Sequence, residues 1–216
     1  MSIRAIIFDL DGVIVSTDNF HYLGWKRLAD EEDIYFDRQI NERLRGVSRM
    51  ESLAIILERS PRTYTEARKI ELATRKNNYY RDLLGTDLSP ANILPGVREF
   101  LAACKTHGIQ VAIGSSSRNS PTILAQIGMA HAFDATADGN DISRSKPDPQ
   151  VFLLAAERLG LPPANCLVVE DAEAGVAAAV AGGMKVLAVG SAADDPRATL
   201  SAPSLADITL DQVLAL

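Results

Sequence analysis

Four acidic residues stand where an apolar run has just ended. Asp9 and Asp11 follow the run at 5–8, and Glu170 and Asp171 follow the run at 166–169. Brought together, these carboxyls would repel one another. A hard divalent cation held by oxygen ligands, such as one Mg²⁺ ion, would relieve that repulsion. Asp9, Asp11, Glu170 and Asp171 are therefore the candidate metal ligands, and Gly12 permits a tight turn beside them. Ser115, Ser116 and Ser117 form a second group. Hydroxyls and backbone N–H groups at the end of a strand suit a phosphate. Lys146, in the loop Ser145-Lys146-Pro147-Asp148-Pro149, can offset phosphate and carboxylate charge.

Such groups converge only if several strands end at one edge. Residues 3–8 are short, apolar and β-rich, which predicts a buried strand. From about Asp18 to Leu84 there is almost no strand signal. The run 20–31 puts Tyr22, Trp25, Leu28 and Ala29 on one helical face, and 37–45 predicts a second helix. Ser48-x-x-Glu51 and Thr63-x-x-Glu66 are capping-box patterns, each opening a further helix. From Pro95 on, helices and apolar runs alternate. Helices are expected at 95–107, from Ser120-Pro121 to Gly128, from Asp148-Pro149 to near Gly160, and at 172–181. Strands are expected at 110–115, 133–137, 166–170 and 185–189. Repeated βα units imply a parallel sheet with helices on both faces. The first strand must join that later sheet. The expected architecture is an α/β, Rossmann-like parallel-sheet core, residues 1–16 and 92–216, with an inserted helical cap at 17–91.

Composition narrows the function. The 216 residues are 47% hydrophobic and 23% charged, which excludes a disordered or collagen-like chain. A net charge of −6 argues against a nucleic-acid partner. Cys104 and Cys166 form no C-x-x-C pair and read as reduced and buried, as in a cytoplasmic protein. No signal peptide is expected, because the opening apolar run soon meets Asp9. No run is long and apolar enough to predict a membrane span.

The order of the motifs carries more than any one of them. Asp9-x-Asp11-Gly12, Ser115, Lys146-Pro147 and Glu170-Asp171 together resemble the four motifs of the haloacid dehalogenase-like superfamily, whose helical cap follows the first strand. The resemblance makes Asp9 the nucleophile that carries the phosphoryl group, and Asp11 the general acid and base. Further spacings resemble the superfamily's hexose phosphate mutases. They are Thr17-x-x-x-His21, Arg45-Gly46-Val47-Ser48-Arg49, Arg75-Lys76-Asn77 and Ser115-Ser116-Ser117-Arg118-Asn119. Such enzymes interconvert β-D-glucose 1-phosphate and glucose 6-phosphate through β-glucose 1,6-bisphosphate.

That likeness implies roles position by position. Arg49, Ser117 and Asn119 would bind the phosphate that stays in place, while Ser115 and Lys146 would hold the one in transfer. Arg45 and Lys76 would line the sugar pocket, and His21 would reach Asp11 on cap closure. Thr17, Trp25, Gly46 and Ser116 complete the substrate-binding set. The chain departs from the family's pattern at Ser16, where Asp is usual, at Arg45, where Lys is common, and at Ala172, where Ser is common. The expected partner of this monomer is a small phosphorylated sugar, with neither nucleic acid nor membrane. The alternatives are a sugar-phosphate phosphatase of the same fold and a non-enzymatic module with a phosphorylated Asp. The length and the helical insertion count against the module.

Overall fold

The computed structural model describes residues 2–44 and 47–216. Strand β1 (Ala5–Phe8) is followed by four helices: α1 (Asp18–Glu31), α2 (Arg38–Glu42), α3 (Arg49–Leu57) and α4 (Glu66–Asp87). The alternating part then runs α5 (Val97–Thr106), β2 (Gln110–Gly114), α6 (Ser120–Gln126), β3 (Ala135–Ala137), α7 (Gln150–Arg158), β4 (Cys166–Glu170), α8 (Glu173–Ala181) and β5 (Lys185–Val189). Strand β6 (Leu200–Ala202) and helix α9 (Leu210–Leu214) close the chain.

The strands form one sheet in the order β3-β2-β1-β4-β5-β6, with every pair parallel. The chain thus leaves β1 for one side of the sheet and later returns to its other side. In open α/β sheets the crevice beyond the carboxyl ends, at this reversal, is where ligands bind. Register makes the crevice definite. Phe8 pairs with Val169, and Asp9 N–H donates to Val169 O at 3.0 Å. The carboxylates that follow these two strands therefore emerge side by side.

Alternation along each strand divides the core. Ile6, Phe8, Ile113 and Val169 face α5, α6 and α9, while Ile7, Ala112 and Val168 face α7 and α8. The helical segment has a separate apolar cluster around Trp25, Leu28, Phe36, Leu53 and Leu72. Its root is shared, because Phe20, Tyr80, Leu84 and Leu88 pack into the sheet's first cluster.

Several local expectations needed adjustment. Ser48 and Glu51 do form a capping box, which fixes Arg49 as the first residue of α3. Thr63 does not cap α4. Thr65 accepts from Arg68 N–H instead, leaving Glu66 too early in the helix to reach back, so it pairs with Lys69. The helix expected at 37–45 is observed over Arg38–Glu42, with Asp37 as its cap. Strand β6 and helix α9 were not anticipated, being three and five residues long. Among the described residues no helix is long and apolar enough to cross a membrane.

Ile7 is fully buried on β1, between β2 and β4. Ile7→Ala should therefore lower the unfolding free energy by ~2–5 kcal/mol in a denaturant titration. A loss below about 1 kcal/mol would mean that the sheet centre relaxes around the missing atoms.

Candidate active site

A cavity of about 600 Å³ opens beyond the carboxyl ends of β1, β2 and β4 and is walled on its far side by α1, α3 and α4. At its floor, oxygens of Asp9, Glu170 and Asp171 lie within 4.8 Å of one another, and all three residues are buried. Lys146 Nζ lies 2.5 Å from Asp9 Oδ1 and 2.5 Å from Glu170 Oε1, and 4.6 Å from the centroid of the Phe152 ring. Burial alone would lower this lysine's pKa, but the two carboxylates more than offset that and hold it above the usual lysine range. Burial raises the Glu170 carboxyl, against the pull of Lys146 and with the repulsion of Asp9. Its second oxygen accepts from Ala172 N–H at 2.9 Å. Lys146 bridges two of these three buried carboxylates, and an all-oxygen set this tight suits a hard divalent cation.

Backbone economy makes room for these groups. A Cβ on Gly175 would lie 1.8 Å from Glu170 Oε1, and one on Gly12 would lie 2.1 Å from Asp171 Oδ2. Gly12 also has φ of +90°, a conformation that side-chain-bearing residues rarely adopt.

Asp11 stands apart from the group of three. Its carboxylate accepts a hydrogen bond from the Thr17 hydroxyl. Thr17 is the N-cap residue of α1, but its side chain does not cap that helix, since the hydroxyl is committed to Asp11. The four expected metal ligands thus resolve into three clustered carboxylates and one that is held aside. Loss of solvent at the cavity wall, reinforced by the neighbouring charge of Asp9, pushes the Asp11 carboxyl up to about 7.

The helical wall carries the cations. Lys76 is buried, is hydrogen-bonded with His21 Nδ1 at 2.9 Å, and lies over the rings of Trp25 and Tyr80. His21 stacks on Tyr80 with ring centroids 4.1 Å apart. Burial, and then the charge of the neighbouring cations, lowers both Lys76 and His21 well below their ordinary values. His21 is thus engaged by Lys76, while Asp11 is met by Thr17. Arg49 is partly buried, and its guanidinium is depressed first by desolvation and then by Arg118. Arg118 is anchored through Nε to Gly139 O at 3.0 Å.

The serine segment links floor and wall. Ser115 is buried, and its Oγ accepts from Ser117 N–H at 3.1 Å. Ser117 Oγ accepts from Asn119 N–H at 3.2 Å. Ser116 Oγ is buried with no hydrogen-bond partner among the described residues, and the residue lines the cavity. Of the residues expected from the sequence, all described ones line the cavity except Thr17, which sits behind Asp11. Arg45 and Gly46 lie outside the described residues. Sequence reasoning gave no role to Arg118 or Asn77, although both stand in runs that it singled out, and both line the cavity. Tyr80 was missed because its face of α4 reads as ordinary core.

Comparison with known proteins agrees with this arrangement. The model of haloacid dehalogenase-like hydrolases matches residues 3–183. The chain is 43% identical over 210 residues to a β-phosphoglucomutase of Bacillus subtilis (strain 168), covering 96% of this chain and 92% of that one. It is 29% identical over 215 residues to a phosphorylated carbohydrates phosphatase of Thermotoga maritima, covering 98% and 96%. The crystal structure of a β-phosphoglucomutase from Clostridium difficile superposes with a TM-score of 0.91 at 36% identity, covering 98% and 95%.

The glycine at 175 tests the carboxylate cluster. Gly175→Ala should push Glu170 off Lys146 and weaken divalent-cation binding ~10–100-fold, the range for disturbed ligand support. The readout is a Mn²⁺ titration followed by electron paramagnetic resonance. Unchanged affinity in a folded variant would show that Glu170 takes no part in holding a cation.

Proposed function

Because the chain belongs to the haloacid dehalogenase-like hydrolase family, we propose that it is a Mg²⁺-dependent β-phosphoglucomutase working through phosphorylated Asp9 and β-glucose 1,6-bisphosphate. The observation that carries this reading is a cleft lined by two groups of side chains whose charge suits phosphate. One is Lys146 with Ser115 among the carboxylates, and the other is Arg49 with Arg118 across the cavity. A simple phosphatase needs only the first set, whereas a mutase must hold both phosphates of a bisphosphate. The 43% identity to the Bacillus subtilis enzyme supports the same choice.

Asp9, Glu170 and Asp171 would hold the metal, which when bound supplies positive charge to the phosphate in transfer. In the first half-reaction, the 6-hydroxyl oxygen of β-glucose 1-phosphate attacks the phosphorus on Asp9. The acyl phosphate bond breaks, Asp9 regains its carboxylate, and Asp11 takes the hydroxyl proton. The bisphosphate then returns in the opposite orientation. Asp9 attacks the phosphorus at the 1-position, and the bond from that phosphorus to the sugar oxygen breaks. Asp11 returns the proton to that oxygen, leaving glucose 6-phosphate. A carboxyl pushed up to about 7 is suited to both proton transfers.

The helices at 17–91 serve as the cap, which excludes water so that the sugar hydroxyl is the favoured acceptor. Arg49, Arg118, Ser117 and Asn119 hold the resident phosphate. Lys76, His21 and Trp25 face the sugar, and Arg45 and Gly46 complete the substrate-binding set in this reading. Ser116, whose hydroxyl has no partner among the described residues, offers it to phosphate. The protein is a cytoplasmic monomer in this reading.

Incubation with β-glucose 1-phosphate, Mg²⁺ and a trace of bisphosphate should yield glucose 6-phosphate. Free phosphate released in step with substrate loss would instead identify a phosphatase. Asp9→Asn should abolish turnover, and Asp11→Ala should slow it ~10²–10⁴-fold. A near-normal rate in the Asp11 variant would assign the proton transfer to another group.

A further inference from the structure

Asn119 occupies the N-cap position of α6, where an asparagine side chain ordinarily accepts from its own helix's first-turn N–H groups. It makes no such bond. Its Nδ2 donates instead to Asn77 Oδ1 on α4, at 3.0 Å. The bond joins the helical wall to the serine segment, and both residues line the cavity beside Arg49 and Arg118. Asn119 is buried, so its amide exchanges little with bulk water, whereas Asn77 is half-buried.

An amide has two orientations related by a half-turn, and the torsion between them is soft. One presents N–H donors to the cavity, and the other presents a carbonyl oxygen. Facing a phosphate, the first attracts and the second repels. In the observed pairing Asn77 Oδ1 accepts from Nδ2, so Asn119 is held by its donor end. Nδ2 carries two hydrogens, so the second remains available to an anion on Arg49 and Arg118.

We propose that Asn77 is a positioning residue that fixes the Asn119 amide as a phosphate donor and ties α4 to that phosphate. This inference rests on the two-phosphate reading of the cleft and deepens it. Occupation of the distant phosphate site then stabilises the position of α4, and with it Lys76, one residue before Asn77. A merely structural Asn77 would act independently of Asn119, which gives the two roles different signatures.

The test is a double-mutant cycle on glucose 6-phosphate binding, measured by titration calorimetry so that no turnover is required. Asn77→Leu should raise Kd about 10-fold, the size expected for a hydrogen bond to a charged group. Asn119→Ala should raise it at least as much, and adding Asn77→Leu to Asn119→Ala should change it by less than twofold. Asn77→Gln should restore part of the loss, and Asn77→Ser serves in place of the leucine variant if that one does not fold. In mutase turnover, Asn77→Leu should move KM more than kcat. Losses that multiply in the double variant, or wild-type affinity in Asn77→Leu, would overturn the inference. Wild-type protein that binds glucose 6-phosphate but forms none from β-glucose 1-phosphate would overturn the mutase reading alone. Wild-type protein that does not bind it would overturn both.

Discussion

The placement of one buried ammonium between two buried carboxylates governs the rest of the molecule. Lys146 is 2% exposed and touches both Asp9 and Glu170. Without it, Asp9 and Glu170 would face each other at the buried floor without the ammonium that now bridges them. Removing one partner from such a cluster is far more costly than the cluster's net contribution to folding. The fold therefore has to deliver all of these groups to one point. It does so by pairing β1 with β4 in a register that aligns the strand ends, and by bringing the loop before α7 back over them. Gly12 and Gly175 matter for the same reason, since each leaves space that a carboxylate fills.

Charge then changes sign across the cavity. Carboxylates and Lys146 occupy the floor, Asp11 lies at the edge, Lys76 and Arg49 follow on the far side, and Arg118 adds its charge from the serine segment. Electrostatic influence passes along this line. Lys76 feels both Asp11 and Arg49, and Arg49 feels Arg118. Two neighbouring guanidiniums are unfavourable until an anion lies between them. An acidic protein can still present positive charge to an anion, because Lys146, Lys76, Arg49 and Arg118 all line one cleft. Two helix-capping residues serve the same cleft. Thr17 gives its hydroxyl to Asp11 and Asn119 gives its amide to Asn77, and each leaves its own helix uncapped. Local stability is given up at the two places where the walls of the cleft meet.

Much of this was legible in the sequence because strong local signals coincide with function. The apolar runs ending at Asp9 and Glu170 marked both the strands and the floor, and the break between helical and alternating regions marked the insertion. Ser48 and Glu51 located the start of α3 and hence Arg49. What could not be read depended on contacts across the chain. Nothing local separates Asp11 from the other three carboxylates, because the difference lies in which hydroxyl reaches it. Tyr80 looks like core until His21 and Lys76 are found against its ring. Arg118 and Asn77 stood within recognised runs, but that both line the cleft emerges only when α4 faces the serine segment. Strand β6 is too short to carry a periodic signal.

The central claim is that one cleft passes a phosphoryl group through Asp9 from one position of a sugar to another, without releasing it to water. The most direct measurement is a rapid-quench experiment with β-glucose 1-phosphate carrying ³²P, started with unlabelled bisphosphate. The account predicts label in the bisphosphate and then on the peptide containing Asp9 before it reaches glucose 6-phosphate, with inorganic phosphate staying near background. Label appearing as inorganic phosphate as fast as the substrate is lost, with none passing through Asp9 to sugar, would contradict it.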